Sequence, residues 1–272
     1  MKLYLNYWLL LSVLVLWLVS CEHPFTDIAQ PVSDTVLVVD GLITNEKKQH
    51  YVRLSTMAYA INQVNKPVSG ALVTVTTGDS IYRFTESDTE KGLYLSEKAF
   101  IGITNDIYVL LTEYKGIKYN ATARMEPVTV LDTVQTMFHQ SANMFSVSAI
   151  GPTLVARNPA MHQVNLQWQN PVYPFELKEA VLYFYALTTI DVSQLFSPEQ
   201  EKVFFPAGTR LIVRKMSLSE AHESFIRSVL AETTWRGGFF DENPGNSQTN
   251  ISNGALGFFA ACSVITDTLI VH

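Results

Sequence analysis

From Val36 onward, apolar and polar residues alternate with a period of two. The runs Val36–Ile43, His50–Thr56, Ala71–Thr77, Ile81–Thr85, Ile107–Thr112 and Ile117–Thr122 are rich in Val, Ile, Thr and Tyr. Such side chains suit a pleated, half-buried surface, so each run predicts a strand. Between the runs stand Thr44-Asn45-Glu46-Lys47-Lys48, Gly78-Asp79-Ser80 and Lys115-Gly116, which carry the residue types of turns. Short strands spaced roughly ten residues apart predict an antiparallel sandwich. In the third run Ala71, Val73 and Val75 share one face, which becomes core, and Gly78-Asp79-Ser80 is short enough for a hairpin. Residues 35–126 are expected to form an immunoglobulin-like β-sandwich that ends near Glu126-Pro127.

Residues 127–272 are less regular and predict a second β-rich domain with one helix. His162, Val164, Leu166 and Trp168 alternate with Gln163, Asn165, Gln167 and Gln169, which predicts a strand with one solvated face and Trp168 in the core. Val181–Leu187 is apolar on both faces and predicts a central strand. Thr209–Met216 and Thr266–Val271 are further strand candidates. One segment changes period. Leu218, Ala221, Phe225 and Val229 recur at three and four, with Ile226 and Leu230 widening the stripe. Ser217 stands three residues before Glu220, a capping-box spacing, so a helix is expected over Leu218–Glu232. The fold class is mainly β.

The amino terminus has a different character. Lys2 is the one charge in residues 1–21, and it precedes an apolar run, Leu3 to Leu18, broken by Asn6 and Ser12. The run falls a little short of the about 20 residues of a membrane span. It ends at Leu18-Val19-Ser20-Cys21, which resembles a bacterial lipobox. The competing reading is an uncleaved anchor. The lipobox implies that residues 1–20 are a leader, that the chain is cut before Cys21, and that this cysteine and the new amino terminus are acylated. Two or more acyl chains anchor a protein stably, where one holds it only marginally. Loss of Lys2 with the leader would move the formal charge from −6 to −7. Residues 21–34 are read as a tether: Glu22–Ser33 shows neither period and contains Pro24 and Pro31. Twelve extended residues reach at most about 40 Å. Glu22 is compatible with delivery to the outer membrane, and the leaflet is left open.

Composition narrows the function classes. Only 16% of the 272 residues are charged and 47% are hydrophobic, which excludes a disordered polar chain. A formal charge of −6 argues against nucleic acid as a partner. With Cys21 acylated, Cys262 is the remaining thiol, so no intramolecular disulfide is expected. It ends the apolar run Leu256-Gly257-Phe258-Phe259-Ala260-Ala261 and is read as buried and inert. The six histidines show no local metal-site spacing, and no His-Glu-x-x-His, Cys-x-x-Cys, calcium loop, Gly-x-Ser-x-Gly or phosphate-binding glycine loop is found. No metal, no cofactor and no catalytic residue is expected.

Two stretches carry the residue types that dominate interfaces. Trp235, Arg236, Phe239 and Phe240 lie in a Gly- and Pro-containing segment after the helix, where the two phenylalanines alternatively plug the end of a sheet. Tyr173 and Phe175 lie in the proline-spaced connection after Trp168.

Several longer markers carry a family resemblance. They are Val38-Val39-Asp40-Gly41-Leu42-Ile43-Thr44, Pro67-Val68-Ser69-Gly70-Ala71-Leu72-Val73-Thr74-Val75, Gly92-Leu93-Tyr94, and Asn250-Ile251-Ser252-Asn253-Gly254-Ala255-Leu256-Gly257-Phe258-Phe259-Ala260-Ala261. On these the chain resembles the Bacteroidota lipoprotein family of domain of unknown function 4249. Pro67–Ala71 alone is also similar to carboxypeptidase-regulatory-like sandwich domains. The resemblance implies a cell-envelope lipoprotein, of a family often encoded near TonB-dependent outer-membrane receptors and without established catalytic residues. Within Phe196–Phe204 the sequence departs from the acidic, glycine-containing loop the family leads one to expect, with Ser197-Pro198-Glu199-Gln200-Glu201-Lys202 in its place.

The resulting expectation is a non-catalytic lipoprotein of the cell outer membrane, held through Cys21, that acts as an accessory partner of a TonB-dependent receptor. The alternative is a stand-alone binder of a glycan or peptide, with a cleft lined by Trp235, Tyr173 and Phe175. An envelope hydrolase would require a carboxylate pair or a Ser/His pair converging in a pocket.

Overall fold

The computed structural model describes residues 36–58, 64–151, 156–173, 175–199, 201–237 and 248–272. The lipobox with Cys21, the tether, Phe239 and Phe240 lie outside the described residues. The fold is mainly β, as the alternation predicts.

The amino-terminal strands are β1 (Leu37–Thr44), β2 (Tyr51–Thr56), β3 (Lys66–Pro67), β4 (Leu72–Thr77), β5 (Ser80–Glu86), β6 (Leu93–Ser96), β7 (Ile107–Tyr114) and β8 (Ile117–Arg124). They join β14 (Leu256–Cys262) in one sheet of order β14-β1-β2-β6-β5-β4-β7-β8, with β3 on β2. Alternate side chains, among them Val39, Ile43, Val73, Val75, Tyr108 and Leu110, point to a common buried core. Ala71, Val73 and Val75 are buried as their pattern predicts, and Gly78-Asp79 turns β4 into β5 with Thr77 opposite Ser80. The sheet curls until its outer strands meet. Ser252 N–H donates to Asn120 O, and Asn120 N–H to Ser252 Oγ, both at 2.8 Å. Asn250 Nδ2 donates to Thr122 O at 3.2 Å.

The carboxyl-terminal strands are β9 (Val134–His139), β10 (Met144–Ile150), β11 (Ala160–Gln169), β12 (Leu177–Ala186), β13 (Arg210–Ser217) and β15 (Val264–Ile270). The last four form an antiparallel sheet of order β12-β11-β13-β15, while β9 and β10 form a hairpin. Residues from the hairpin and from one sheet face, including Phe145, Ile150, Val164, Leu166 and Val213, share a second core. Trp168 packs against it, half-buried.

Two local expectations are corrected. Val181–Leu187 belongs to an edge strand, β12, and not to a central one. Its two apolar faces have different fates: Leu182 and Phe184 pack on the core, while Val181 and Tyr183 are about half exposed, at 50% and 52%. The helix expected over Leu218–Glu232 is present as α2 (Glu220–Glu232), preceded by a single short turn of helix, α1 (Val192–Leu195), and what is corrected is its cap. The cap of α2 is Ser219, whose hydroxyl accepts from His222 N–H at 3.3 Å. Ser217 is the last residue of β13 instead. Its hydroxyl donates to Glu126 O at 2.6 Å and accepts from Ser263 N–H at 2.9 Å.

The two sheets share the chain's last stretch. β14 lies parallel to β1 in the first sheet, and after the single residue Ser263 the chain enters β15 of the second. Asn45 fixes the passage, accepting from Val264 N–H at 2.7 Å and donating to Val264 O at 3.3 Å. Nearby, Arg214 of β13 pairs with Glu46 at 2.7 Å. The sequence boundary at Glu126-Pro127 thus marks the passage to the second sheet, while β14 returns to the first.

Candidate functional site

β14 serves two cores, which accounts for its unbroken apolar sequence. Phe259 and Ala261 enter the core of the first sheet. Phe258, Ala260 and Cys262 point the other way, into a cluster that includes Met216 and Phe225. A strand buried on both faces reads as a continuous apolar run. Helix α2 lies over this outer face. Ile226 and Leu230 bury its central stripe, and His222 and Phe225, three apart and therefore on one side of the helix, both stack on Phe258 with ring centroids 5.0 and 4.9 Å away.

The helix leaves part of the β1–β14 face uncovered. A groove of about 390 Å³ runs there between Phe225 and Val229 on one wall and Leu42, Asp40 and Tyr51 on the other. Phe258 and Gly257 of β14 line it as well. Its lining is mostly apolar. The exceptions are Asp40, Tyr51 and His222. Tyr51 Oη donates to Asp40 Oδ1 at 3.4 Å, a long contact. Desolvation by the surrounding protein raises the Asp40 carboxyl above the usual range, against the pull of Arg53 across the ladder. Burial and the neighbouring Asp40 raise the Tyr51 hydroxyl, so it stays a donor. Burial lowers His222 to about 4, which keeps the ring neutral at neutral pH.

Cys262 Sγ lies 3.6 Å from His222 Nδ1. This pair is not a nucleophile and its base. Cys262 is fully buried, as its apolar run predicts, and burial pushes its thiol up to about 12. A catalytic cysteine needs the opposite, a lowered pKa and access. The groove thus has a mostly apolar lining with a polar end, and the Cys262–His222 pair beside it supplies no activated nucleophile.

The residues singled out in the sequence do not converge. Trp235 is 6% exposed and packs with Leu187, Leu218, Ile226 and Leu230 beneath α2. It is corrected from a surface position to a core one. Arg236 beside it stays outside and reaches Glu232 at 3.5 Å. Tyr173 and Phe175 are exposed at the turn between β11 and β12. Trp235 meets Leu187, past the far end of the ten-residue β12, so a strand of roughly 30 Å separates the two stretches. The cleft expected between Trp235, Tyr173 and Phe175 is not formed.

Two buried polar networks escaped the sequence reading. Glu223 of α2, 5% exposed, accepts from Thr188 N–H at 2.6 Å and from Thr188 Oγ1 at 2.9 Å. Arg227, which reaches Glu223 at 3.2 Å, also pairs with Asp191. In the second core Lys215 pairs with Asp132 at 2.7 Å, and His162 Nε2 lies 2.8 Å from the same carboxylate. An acidic residue inside an apolar stripe is the signal that marks Glu223. Asp132 meets its partners 30 and 83 positions away, so no local pattern marks it.

The family described as "Domain of unknown function (DUF4249)" matches residues 22–268. The chain belongs to that family. The DUF4249 match takes in both sheets, the groove and both polar networks, so the joined sheets are the family's unit. No curated protein matches the chain. Among the described residues, no helix is long and apolar enough to cross a membrane. Among them, too, no three His, Cys, Asp or Glu side chains gather as a metal site.

Proposed function

We propose that this DUF4249 chain is a cell-envelope lipoprotein of the Bacteroidota type, held in the outer membrane by acyl groups on Cys21. In this reading it works without catalysis, as an accessory partner of a TonB-dependent receptor. The observation that carries the anchor is a coincidence of position. The lipobox Leu18-Val19-Ser20-Cys21 ends at the residue before the family match begins, at Glu22. A leader cut before Cys21 would release the family domain with its acylated residue directly in front.

A partner role is supported by what the first sheet exposes. Ile107, Val109 and Leu111 run down the outer face of β7 at 50%, 37% and 37% exposure. Thr74 and Thr76 of β4 and Asn120 and Thr122 of β8 flank them in register. This short apolar stripe, bordered by Arg124 opposite Ile107 and by Glu113 opposite Lys118, has the apolar centre and charged rim of an interaction surface. The reading assigns no catalytic role to the thiol beside His222, because Cys262 is buried and its thiol is pushed up to about 12, away from an activated nucleophile. The stand-alone glycan or peptide binder loses the aromatic cleft on which it rested.

The test is affinity purification from mildly solubilised, crosslinked membranes. Recovery of a large β-barrel receptor is the expected outcome. Recovery of the protein alone, with crosslinker present, would contradict the partner role.

A further inference from the structure

We propose that the groove between α2 and β1 is a binding site for a small amphipathic amine, an aromatic or branched alkyl body carrying one ammonium group. The inference concerns the groove alone and does not depend on the anchor or on a receptor.

Its volume, about 390 Å³, lies within the roughly 300–1,000 Å³ range of small-molecule sites. The walls are Phe225, Val229, Met161 and Leu42, and an aromatic or branched body would exchange water for these apolar surfaces. The polar end is defined by one carboxylate. Among the described residues no cation lies within ion-pair distance of Asp40, and Arg53, its cross-strand neighbour, is engaged by Glu90 at 2.6 Å. Asp40 is exposed at the edge of the apolar groove, and Tyr51 Oη, at 3.4 Å, leaves most of its acceptor positions open to a ligand. An ammonium group would supply the missing charge, and a charge-assisted hydrogen bond is about twice as strong as a neutral one.

The same features select against other ligands. An anion would meet Asp40 with no compensating cation, because His222 is neutral. A sugar would leave most of its hydroxyl groups facing Phe225, Val229 and Met161, where burial without a partner is costly.

The experiment uses the full chain in amphipol and two fluorinated probes of matched shape, 4-fluorophenethylamine and 4-fluorophenylacetate, followed by ¹⁹F line broadening against empty amphipol. The expected result is saturable broadening of the amine and none of the carboxylate. Val229→Trp fills the groove from its rim and abolishes the effect. Asp40→Asn weakens binding about tenfold or more, as loss of a charge-assisted contact requires. Both positions are exposed, so thermal unfolding of the variants should match the parent. No broadening of the amine, equal broadening of both probes, or unchanged binding in either variant would overturn the proposal.

Discussion

Asn250 holds the backbone of Phe259 at both of its polar groups. Its side-chain oxygen accepts from Phe259 N–H at 3.0 Å, and its Nδ2 donates to Phe259 O at 2.8 Å. In this way one side chain takes the place of a neighbouring strand along the free edge of β14. The same Nδ2 reaches Thr122 O of β8, so the contact also closes the curled sheet. Asn250→Ala removes all three bonds and strands the Phe259 groups. A loss of about 2–3 kcal/mol in folding stability is expected from urea unfolding. Asn250→Asp keeps the acceptor alone and should fall between the two.

Gly257 and Gly254 both have positive φ, at +89° and +73°, but their surroundings differ. A Cβ on Gly257 would sit 2.0 Å from Val39 O, inside the parallel ladder between β1 and β14. A Cβ on Gly254 meets nothing within 4 Å. Gly254→Ala should therefore cost about 1–2 kcal/mol from backbone strain alone. Gly257→Ala has to displace β1 and should fail to fold or lose its cooperative transition, as circular dichroism on heating would show.

Asp132 stabilises the second core through Lys215, which is 5% exposed and also donates to Thr129 Oγ1 at 2.7 Å and Val130 O at 2.9 Å. Burial raises the Asp132 carboxyl, but its bonds to Lys215 and His162 outweigh this and hold it below the usual range. Asp132→Ala leaves a buried ammonium without a counter-charge, and a loss of about 3–5 kcal/mol is expected. Lys215→Met removes the charge that needs compensation and should cost less. In a double-mutant cycle by chemical denaturation the two losses should be clearly less than additive.

His50 gives the fold an acid-sensitive element. The ring is fully buried, its Nδ1 accepting from Thr44 N–H at 3.3 Å and its Nε2 lying 3.1 Å from Phe100 O. Burial lowers it from 6.5 to about 4. Between these values the unfolded chain binds a proton that the folded chain refuses, so this contribution to stability is complete above pH 6.5 and is lost as pH falls toward 4. His222, also lowered to about 4, acts in the same direction. Urea midpoints should fall on acidification across this window, with a shallower slope for His50→Gln. An unchanged slope in that variant would show that other groups set the acid response.

The strands of the first sheet were legible because each alternates by itself, as Ala71, Val73 and Val75 do. The helix was legible from its stripe, but its cap was not. Ser217 and Ser219 are equally able to cap, and the choice is made by Glu126 and Ser263, which lie 91 and 46 positions from Ser217. Val181–Leu187 carries the composition of a central strand because Val181 and Tyr183 stay apolar while exposed. Trp235 was misplaced for the converse reason. Glycines beside it indicate a loop, and the pocket that buries it is built from β12 and α2. The groove lay beyond local pattern, since it needs β14 brought beside β1 and α2 laid across them. Asp40, an acidic residue among the apolar residues of β1, is its one local trace, and alternation alone assigns that residue no role.

The central claim is covalent and can be weighed. Intact mass and amino-terminal peptide mass of the protein extracted from membranes should show a chain that begins at Cys21 and carries diacylglycerol and an acyl group. A chain that retains residues 1–20, or one that begins at Cys21 with a free thiol, would contradict it.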